Sequence, residues 1–240
     1  MKSEDSYYLI CERNWVFFLL MFVAGFLGAY TFVLRGHVFC NAQTGNIVLM
    51  GIALGSAKWG EAIYYLVPLS AYILGSFISE LLPNPVKRIL KVRWDTILIA
   101  IEMIVIFILG CIPDSAPVQI SQVAVNLIAS MQYNTFRQAE GMPMATTFAT
   151  NHIRQIGVGL AKEFHRRNSN NKSHRLKLAK HTKMLFCFTF GSIFGTICCH
   201  AFMGKAIWVT LFPLMFLLLC FLQADLVLEK SIKDQKPLGH

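Results

Sequence analysis

Long apolar segments alternate with short polar ones along most of this 240-residue chain. Six of the apolar segments approach or reach the roughly 20 residues that a helix needs to cross a bilayer. They cover residues 15–34, 62–82, 97–112, 118–136, 184–202 and 206–222. The pattern therefore predicts an all-α membrane protein with six transmembrane helices.

Two further apolar segments are too short to span, and each follows a run of small and polar residues. The run at 41–46 leads into 47–57, and the run at 145–152 leads into 153–160. Backbone that is not helical at membrane depth is tolerated only where it is buried in protein or lines a wet cavity. We therefore predict two short re-entrant or broken helices whose polar starts form a binding site.

The two halves of the chain resemble each other beyond these short segments. Residues 72–76 and 188–192 follow the first and the second short segment with a similar Gly-Ser pattern. Weak internal symmetry with an interrupted segment in each half is typical of transporter folds. The sequence predicts one integral membrane domain, 1–240, with repeat halves at about 15–112 and 118–222. The alternative is chance similarity between glycine-bearing apolar helices.

Composition and charge support a membrane location. Hydrophobic residues make up 55% of the chain and charged residues 15%, with a mean hydropathy of +0.52, which excludes an ordinary soluble core. Basic residues concentrate in the loop after residue 82 (Lys87, Arg88, Lys91 and Arg93) and in the loop at 162–183. These two loops account for the net charge of +9, so we expect no nucleic-acid partner.

Topology follows from the same loops, because lysine and arginine accumulate on the cytoplasmic side. If both loops are cytoplasmic, an even number of crossings must lie between them, whereas three apolar segments do, so the weakest, at 142–160, must enter and return without crossing. The repeat then requires the same of 41–55, which places both termini in the cytoplasm and makes the two halves inverted. The sequence thus predicts a protein of the cytoplasmic membrane, with the lipid bilayer as partner and a homo-oligomer left open. Residues 175–183 are compatible with a basic helix on anionic lipid, and 168–171 are typical of a solvated loop.

Candidate substrate contacts surround the starts of the two short helices. They are Asn41, Gln43, Thr44, Gly45, Asn46, Gln132, Thr146, Thr147, Thr150, Asn151 and His152. A helix start presents unpaired N–H groups, which favour an anion or a carbonyl-bearing solute. Because inverted repeats bring equivalent segments together, we expect residues 43–46 to approach residues 147–151.

Four charged residues are candidates for an anion contact or a charge relay: Arg35, Glu102, Arg137 and Arg154. Alternatively, Arg35 and Arg137 lie at the membrane edge, Arg154 follows the positive-inside bias, and Glu102 is neutral and hydrogen-bonded.

Two helix-spacing patterns predict packing. Gln122, Asn126, Ser130 and Asn134 recur about every four residues, so they share one helix face, which we expect to point into the bundle or a cavity. Gly51 with Gly55, and Gly191 with Gly195, have the spacing of closely packed membrane helices.

Several of these residues resemble a known family. The match consists of Arg35-Gly36, Phe39 with 41–49, Gln132, Phe136-Arg137, Gly141 and 146–150. These residues resemble the YoaK-like family of small bacterial membrane proteins, a domain of unknown function, over about 15–225. The resemblance implies a multi-span protein of the cytoplasmic membrane without an established activity. The chain departs from the family at Gly28, where relatives carry an aspartate, and at 150–152, where they repeat Thr-Gly-Asn, so a proton-carrying aspartate does not transfer.

Enzyme signatures are absent from the sequence. The seven cysteines form no Cys-x-x-Cys pair, and no metal-ligand spacing, phosphate loop or nucleophile motif is present. We therefore expect no enzyme activity, cofactor or metal. The leading hypothesis is a transporter or channel for a small polar solute, a class that includes anions. The alternative is a non-transporting scaffold or accessory subunit.

Overall fold

The computed structural model describes residues 8–83, 92–165, 172–230 and 237. Within them the chain is mainly helical. The helices are α1 (Asn14–Leu34), α2 (Gln43–Gly55), α3 (Trp59–Leu81), α4 (Trp94–Cys111), α5 (Val118–Thr135), α6 (Thr150–His165), α7 (Lys172–Phe202) and α8 (Leu211–Gln223). Shorter elements are 3-10 turns at Ile10–Glu12 and Met203–Thr210, a π turn at Ala224–Leu228, and an antiparallel hairpin of β1 (Gln138–Ala139) and β2 (Met142–Pro143).

Four helical stretches in the described residues are long and apolar enough to cross a membrane. They are Asn14–Leu34, Trp59–Leu81, Trp94–Cys111 and His174–Leu228. The all-α membrane class is confirmed, whereas the count of six spans is not. Helix α5 has 18 residues, but its polar side chains lower its hydropathy. Helices α7 and α8 count as one stretch of 55 residues, because the 3-10 turn joins them without a break.

The two predicted short helices are present, α2 at Gln43–Gly55 where the apolar segment was expected at 47–57, and α6 at Thr150–His165 where it was expected at 153–160. Helix α2 has 13 residues and α6 has 16, so they extend about 20 and 24 Å, less than the roughly 30 Å of a hydrocarbon core. The predicted basic loop at 162–183 is wrong in its described parts, which are helical. Its leucine, alanine, lysine and arginine residues are good helix formers and extend α6 and α7. Residues 168–171 and Lys87, Arg88 and Lys91 lie outside the described residues.

Helix packing follows a paired arrangement. The most extensive contacts join α1 to α7 and α3 to α5. Helix α2 packs along α3, α6 packs along α7, and α4 packs against α8 and the 3-10 turn at Met203–Thr210. Large apolar side chains also cover the outside of the bundle, including Ile63, Ile73, Phe186 and Phe212. Such an apolar exterior suits contact with lipid.

Glycines permit the closest of these contacts. A Cβ at Gly191 would collide with the backbone oxygen of Phe22 on α1, and one at Gly195 would press on Phe26. The predicted close packing at this pair is therefore confirmed. The same prediction for Gly51 and Gly55 is wrong, because no atom of the described structure lies within 4 Å of a Cβ at either position. These two glycines lie on a face of α2 that points away from the other helices.

Two polar clusters mark the opposite ends of the bundle. At the Glu140 end, Glu140 accepts hydrogen bonds from Asn14 N at the start of α1 (3.3 Å) and from Lys180 Nζ on α7 (2.9 Å). At the Asp114 end, after the end of α1, Asp114 Oδ1 accepts from Gly204 N (3.1 Å) and Arg35 Nη2 (3.5 Å). Helices α1 and α7 therefore both run from the Glu140 end to the Asp114 end, parallel to each other.

Candidate functional site

The start of α2 is held by one side chain. Asn46, which is 1% exposed, donates from Nδ2 to the carbonyl of Phe39 (2.7 Å) and accepts from its N–H at Oδ1 (3.1 Å). Both polar groups of a non-helical residue are thereby satisfied inside the protein, as membrane burial requires. Asn46 also donates to Gln43 Oε1 (3.0 Å), which orients the glutamine.

A chain of carboxamides continues from Gln43 into α5. Gln43 Nε2 donates to Asn126 Oδ1 (2.7 Å), and Asn126 Nδ2 donates to the Gln122 carbonyl (2.8 Å). Gln122 Nε2 in turn donates to the Arg35 carbonyl (2.6 Å) and contacts the hydroxyl of Tyr64 on α3. The inward face predicted for the α5 row is confirmed, and its hydrogen bonds join α2, α3 and α5.

The start of α6 is held in the same way by His152. Its Nε2 lies 2.9 Å from the Ala145 carbonyl, seven residues earlier, just as Asn46 bonds the carbonyl seven residues earlier. A carbonyl only accepts, so Nε2 carries the proton and the neutral ring accepts at Nδ1. His181 Nδ1 on α7 lies 2.9 Å away and donates that bond.

Several buried polar atoms near these motifs have no hydrogen-bond partner in the described part of the chain. They are Thr146 Oγ1, Thr147 Oγ1, Gln122 Oε1 and Gln132 Nε2. All four residues are at most 2% exposed. Tyr72 on α3 lies beside Thr147, and the ring of Phe148 packs on that of Tyr133 with centroids 4.9 Å apart. The unused groups are hydroxyl and carboxamide, the chemistry that binds a polar uncharged molecule.

The charged candidates lie elsewhere or already have partners. Buried Arg35 donates to the Tyr30 hydroxyl from Nε (3.0 Å) and Nη2 (2.8 Å), in addition to its bond with Asp114. Exposed Arg137 pairs with Glu80 on α3 (3.0 Å). Exposed Arg154 donates to Asn151 Oδ1 (3.2 Å). Glu102 is 2% exposed on α4, and its Oε1 has no hydrogen-bond partner among the described residues.

The remaining predicted contacts are dispersed. Asn41 donates to the Ala24 carbonyl on α1 (3.1 Å) beside Gly28, Gly45 lies against the Phe39 ring, and Thr44 and Thr150 are exposed. Within the described ranges, no hydrogen bond joins residues 43–46 directly to 146–152. Each motif instead meets a helix from the other half of the chain, Gln43 on α5 and Thr147 beside α3. The expected approach of the two motifs stays a prediction.

A second polar cluster, not predicted from the sequence, lies at the Glu140 end. Asp225 Oδ2 accepts from Arg93 N (2.8 Å) and Thr96 Oγ1 (2.6 Å), and Glu229 pairs with Arg93 while accepting from Ile10 N (2.8 Å). Burial disfavours the Arg93 cation, but its bond to Glu229 and the nearby charges raise its pKa overall. These bonds fasten the ends of the chain to α4.

Other groups in the described residues give no sign of redox or metal chemistry. All seven cysteines there are free, and burial together with nearby Asp95 raises the pKa of the Cys11 thiol, which disfavours the reactive thiolate. No group of three His, Cys, Asp or Glu side chains among the residues described could hold a metal ion. The sequence analysis did not identify His181, because this residue lies in the basic run at 162–183, which was predicted to be a loop. The signal that could have indicated it is its position just before the apolar segment at 184–202.

The apolar exterior and the four candidate spans define a multi-pass α-helical membrane protein. The chain belongs to the family described as "Protein of unknown function (DUF1275)", which matches residues 16–220. It is similar to the UPF0700 transmembrane protein YoaK of Bacillus subtilis (strain 168), with 31% identity over 100 residues. That alignment covers 42% of this chain and 44% of the relative, so it spans less than half of the relative's length. No solved structure matches the chain. The resemblance predicted from the motifs is confirmed.

Proposed function

We propose that this protein transports a small polar solute across the membrane, as a carrier or a channel, between its two half-helices. The observation that carries the proposal is the set of buried polar atoms on Thr146, Thr147, Gln122 and Gln132 that make no hydrogen bond within the described residues. Leaving such an atom unsatisfied costs about 1–3 kcal/mol. A polar solute bound there would supply the missing hydrogen bonds, and broken helices are where transporters place their substrates.

The chemistry of the unpartnered groups favours an uncharged solute, such as a polyol or an amide, over an anion. Hydroxyl and carboxamide groups bind neutral polar molecules without the cost of burying a charge. The arginines that an anion would attract are engaged with Tyr30 and Asp114 or with Glu80. An anion would have to rely on the N–H groups of the helix starts alone.

We further propose an inverted duplication. The pairing of α1 with α7 corresponds to that of α5 with α3, and α2 on α3 corresponds to α6 on α7. The equivalent bonds of Asn46 and His152 support the same correspondence. In this arrangement α5 crosses the membrane with its polar face covered by α2 and α3, and α7 and α8 cross separately. The six crossings then place both termini on one side, the cytoplasmic side by the positive-inside rule.

A scaffold role is the second candidate, and the bonds of Asn46 favour it. This side chain satisfies the backbone of Phe39 and needs no solute to do so. The two candidates differ in what they expect of Thr147, whose hydroxyl has no partner within the described structure. In a scaffold that hydroxyl only contacts Tyr72 on α3, whereas in a transporter it also contacts the solute.

The deciding experiment compares Thr147→Val with Asn46→Ala in proteoliposomes and in thermal unfolding. Osmotic swelling would report uptake of glycerol, urea, acetate and phosphate. In a transporter, Thr147→Val retains the parent's stability and loses about tenfold or more of its flux, since one hydrogen bond is worth about 1.4 kcal/mol or more here. Thr189→Val is the matched control, because Thr189 is exposed on α7.

Asn46→Ala should lower stability under both candidates, so it verifies the sensitivity of the unfolding assay. The scaffold role would be favoured if the parent shows no flux for any of the four solutes and Thr147→Val has the same thermal stability as the parent. Uptake of acetate or phosphate but not of glycerol or urea would show that the solute is an anion. The proposal of an uncharged solute would then be wrong, whereas the proposal of transport would stand.

A further inference from the structure

Helix α7 is longer than a bilayer is thick. Its 31 residues extend about 46 Å, whereas the hydrocarbon core is roughly 30 Å thick. The apolar part, 184–202, is about as long as the core, so the N-terminal turns of α7 project beyond it at the Glu140 end, and the Lys183 side chain, which leans toward the N-terminus of its helix, reaches the same level. Together with the last turn of α6, they form the part of the bundle that lies at headgroup level.

This projecting part carries a basic patch, which consists of Lys162, Arg175, Lys177 and Lys183. All four side chains are exposed. The acidic residue of α6 is Glu163, which pairs with Arg175 (2.6 Å) across an exposed surface, and residues 172–183 contain none. An exposed ion pair contributes little and leaves the guanidinium accessible. Lys180 differs from the patch because it is nearly buried against Glu140.

Two of the α7 cations, Arg175 and Lys183, lie above an apolar surface. Arg175, Lys183, Phe186 and Phe190 are separated by eight, three and four residues, which puts them on one face of the helix. Phe186 and Phe190 are 69% and 51% exposed, and their rings stack with centroids 6.2 Å apart. Leu176, next to Arg175 in the chain, is also exposed. One helix face therefore offers positive charge at headgroup level and apolar rings just below it.

We propose that the basic patch binds the headgroups of acidic phospholipids, whose acyl chains lie along Phe186 and Phe190. A phosphodiester supplies the negative charge that the exposed cations attract. The adjoining rings distinguish a lipid from a soluble anion, because only a lipid covers them. The opposite end of the bundle offers a matched surface for comparison, with exposed Lys58 and Lys205 beside the Asp114 cluster.

The test titrates detergent-purified full-length protein with phosphatidylglycerol or phosphatidylcholine and counts bound lipid by native mass spectrometry. The parent should bind phosphatidylglycerol more tightly. Arg175→Gln/Lys183→Gln should weaken phosphatidylglycerol binding by about tenfold or more, since each cation near an anionic lipid is worth about 1 kcal/mol. Binding of phosphatidylcholine should not change. Lys58→Gln/Lys205→Gln should bind both lipids as the parent does.

The proposal would be overturned if the parent binds both lipids with equal affinity. It would also be overturned if Arg175→Gln/Lys183→Gln and Lys58→Gln/Lys205→Gln lose phosphatidylglycerol binding to the same extent. Complete displacement of phosphatidylglycerol by inorganic phosphate at the same concentration would overturn it as well, because the ligand would then be the free anion. Lys162→Gln/Lys183→Gln is the second variant if the first does not fold. Neither side chain is hydrogen-bonded within the described residues, and the same loss of phosphatidylglycerol binding is expected.

Discussion

Asn46 and His152 occupy corresponding places in the two half-helices, since each bonds the carbonyl seven residues before it. The histidine adds a second bond to His181. A side chain in the first helical turn thus fixes the direction in which each half-helix leaves its loop. Because membrane burial forbids unsatisfied backbone groups, these two positions should be among the most sensitive in the chain.

This correspondence predicts a ranking of substitutions at His152. His152→Asn should retain the bond to Ala145, as Asn46 does in the first half, and lose the bond to His181. It should therefore cost about 1 kcal/mol, whereas His152→Leu loses both bonds and should cost about 2–3 kcal/mol. Chemical unfolding in detergent would measure the difference. Equal losses for the two variants would contradict the correspondence.

Glu140 should make the Glu140 end sensitive to acid. Burial alone would raise the pKa of its carboxyl, but the bonds from Lys180 and Asn14 more than offset this, so the pKa is lowered. A carboxyl with a lowered pKa stabilises the fold above its unfolded pKa of about 4.3 and loses that effect as the pH falls through the folded value. Glu140→Gln should therefore be less stable than the parent at pH 7.

The difference between the parent and Glu140→Gln should shrink as the pH falls below about 4, which a series of melting temperatures would show. Glu61→Gln is the control, because Glu61 pairs with Lys58 on an exposed surface at the other end and such pairs contribute little. A gap between parent and Glu140→Gln that stays constant down to acid pH would argue against a role for the carboxylate charge.

At the scale of the elements, the contact of α3 with α5 depends on Gly75. A Cβ there would collide with the backbone oxygen of Leu127 and with Ser130 Oγ. Backbone does not give way, so Gly75→Ala should separate the two helices and cost about 1–3 kcal/mol. The melting temperature in detergent is the measurement.

Gly51→Ala is the matched control for Gly75→Ala, because a Cβ at Gly51 meets open space. Alanine also favours a helix over glycine by about 0.5–1 kcal/mol. The control should be as stable as the parent or more so. A destabilised Gly51→Ala would mean that this face of α2 is packed, for example in an oligomer.

At the scale of the molecule, the positive-inside rule predicts that the Glu140 end lies in the cytoplasm. On a cysteine-free background, an impermeant maleimide added to cells should label Lys58→Cys and Lys205→Cys, which lie at the Asp114 end. Lys183→Cys should react only after the cells are opened. Labelling of Lys183→Cys in intact cells would reverse the topology.

The sequence by itself determined the class of the protein, the presence of two short helices and the inward face of the α5 row. These depend on apolar length and helical periodicity, which are local properties of the chain. It also located the motif that carries Asn46, because a polar run before an apolar segment too short to span marks backbone that must be buried in protein.

Only the tertiary structure decided which partner each polar group has. Gln43 meets Asn126 at a separation of 83 residues, and His152 meets His181 at a separation of 29. The Gly51 pair has the same spacing as the Gly191 pair, yet only the latter faces another helix. Spacing fixes which residues share a face, whereas the packing of distant helices decides what that face contacts, and packing energies are spread over the whole bundle.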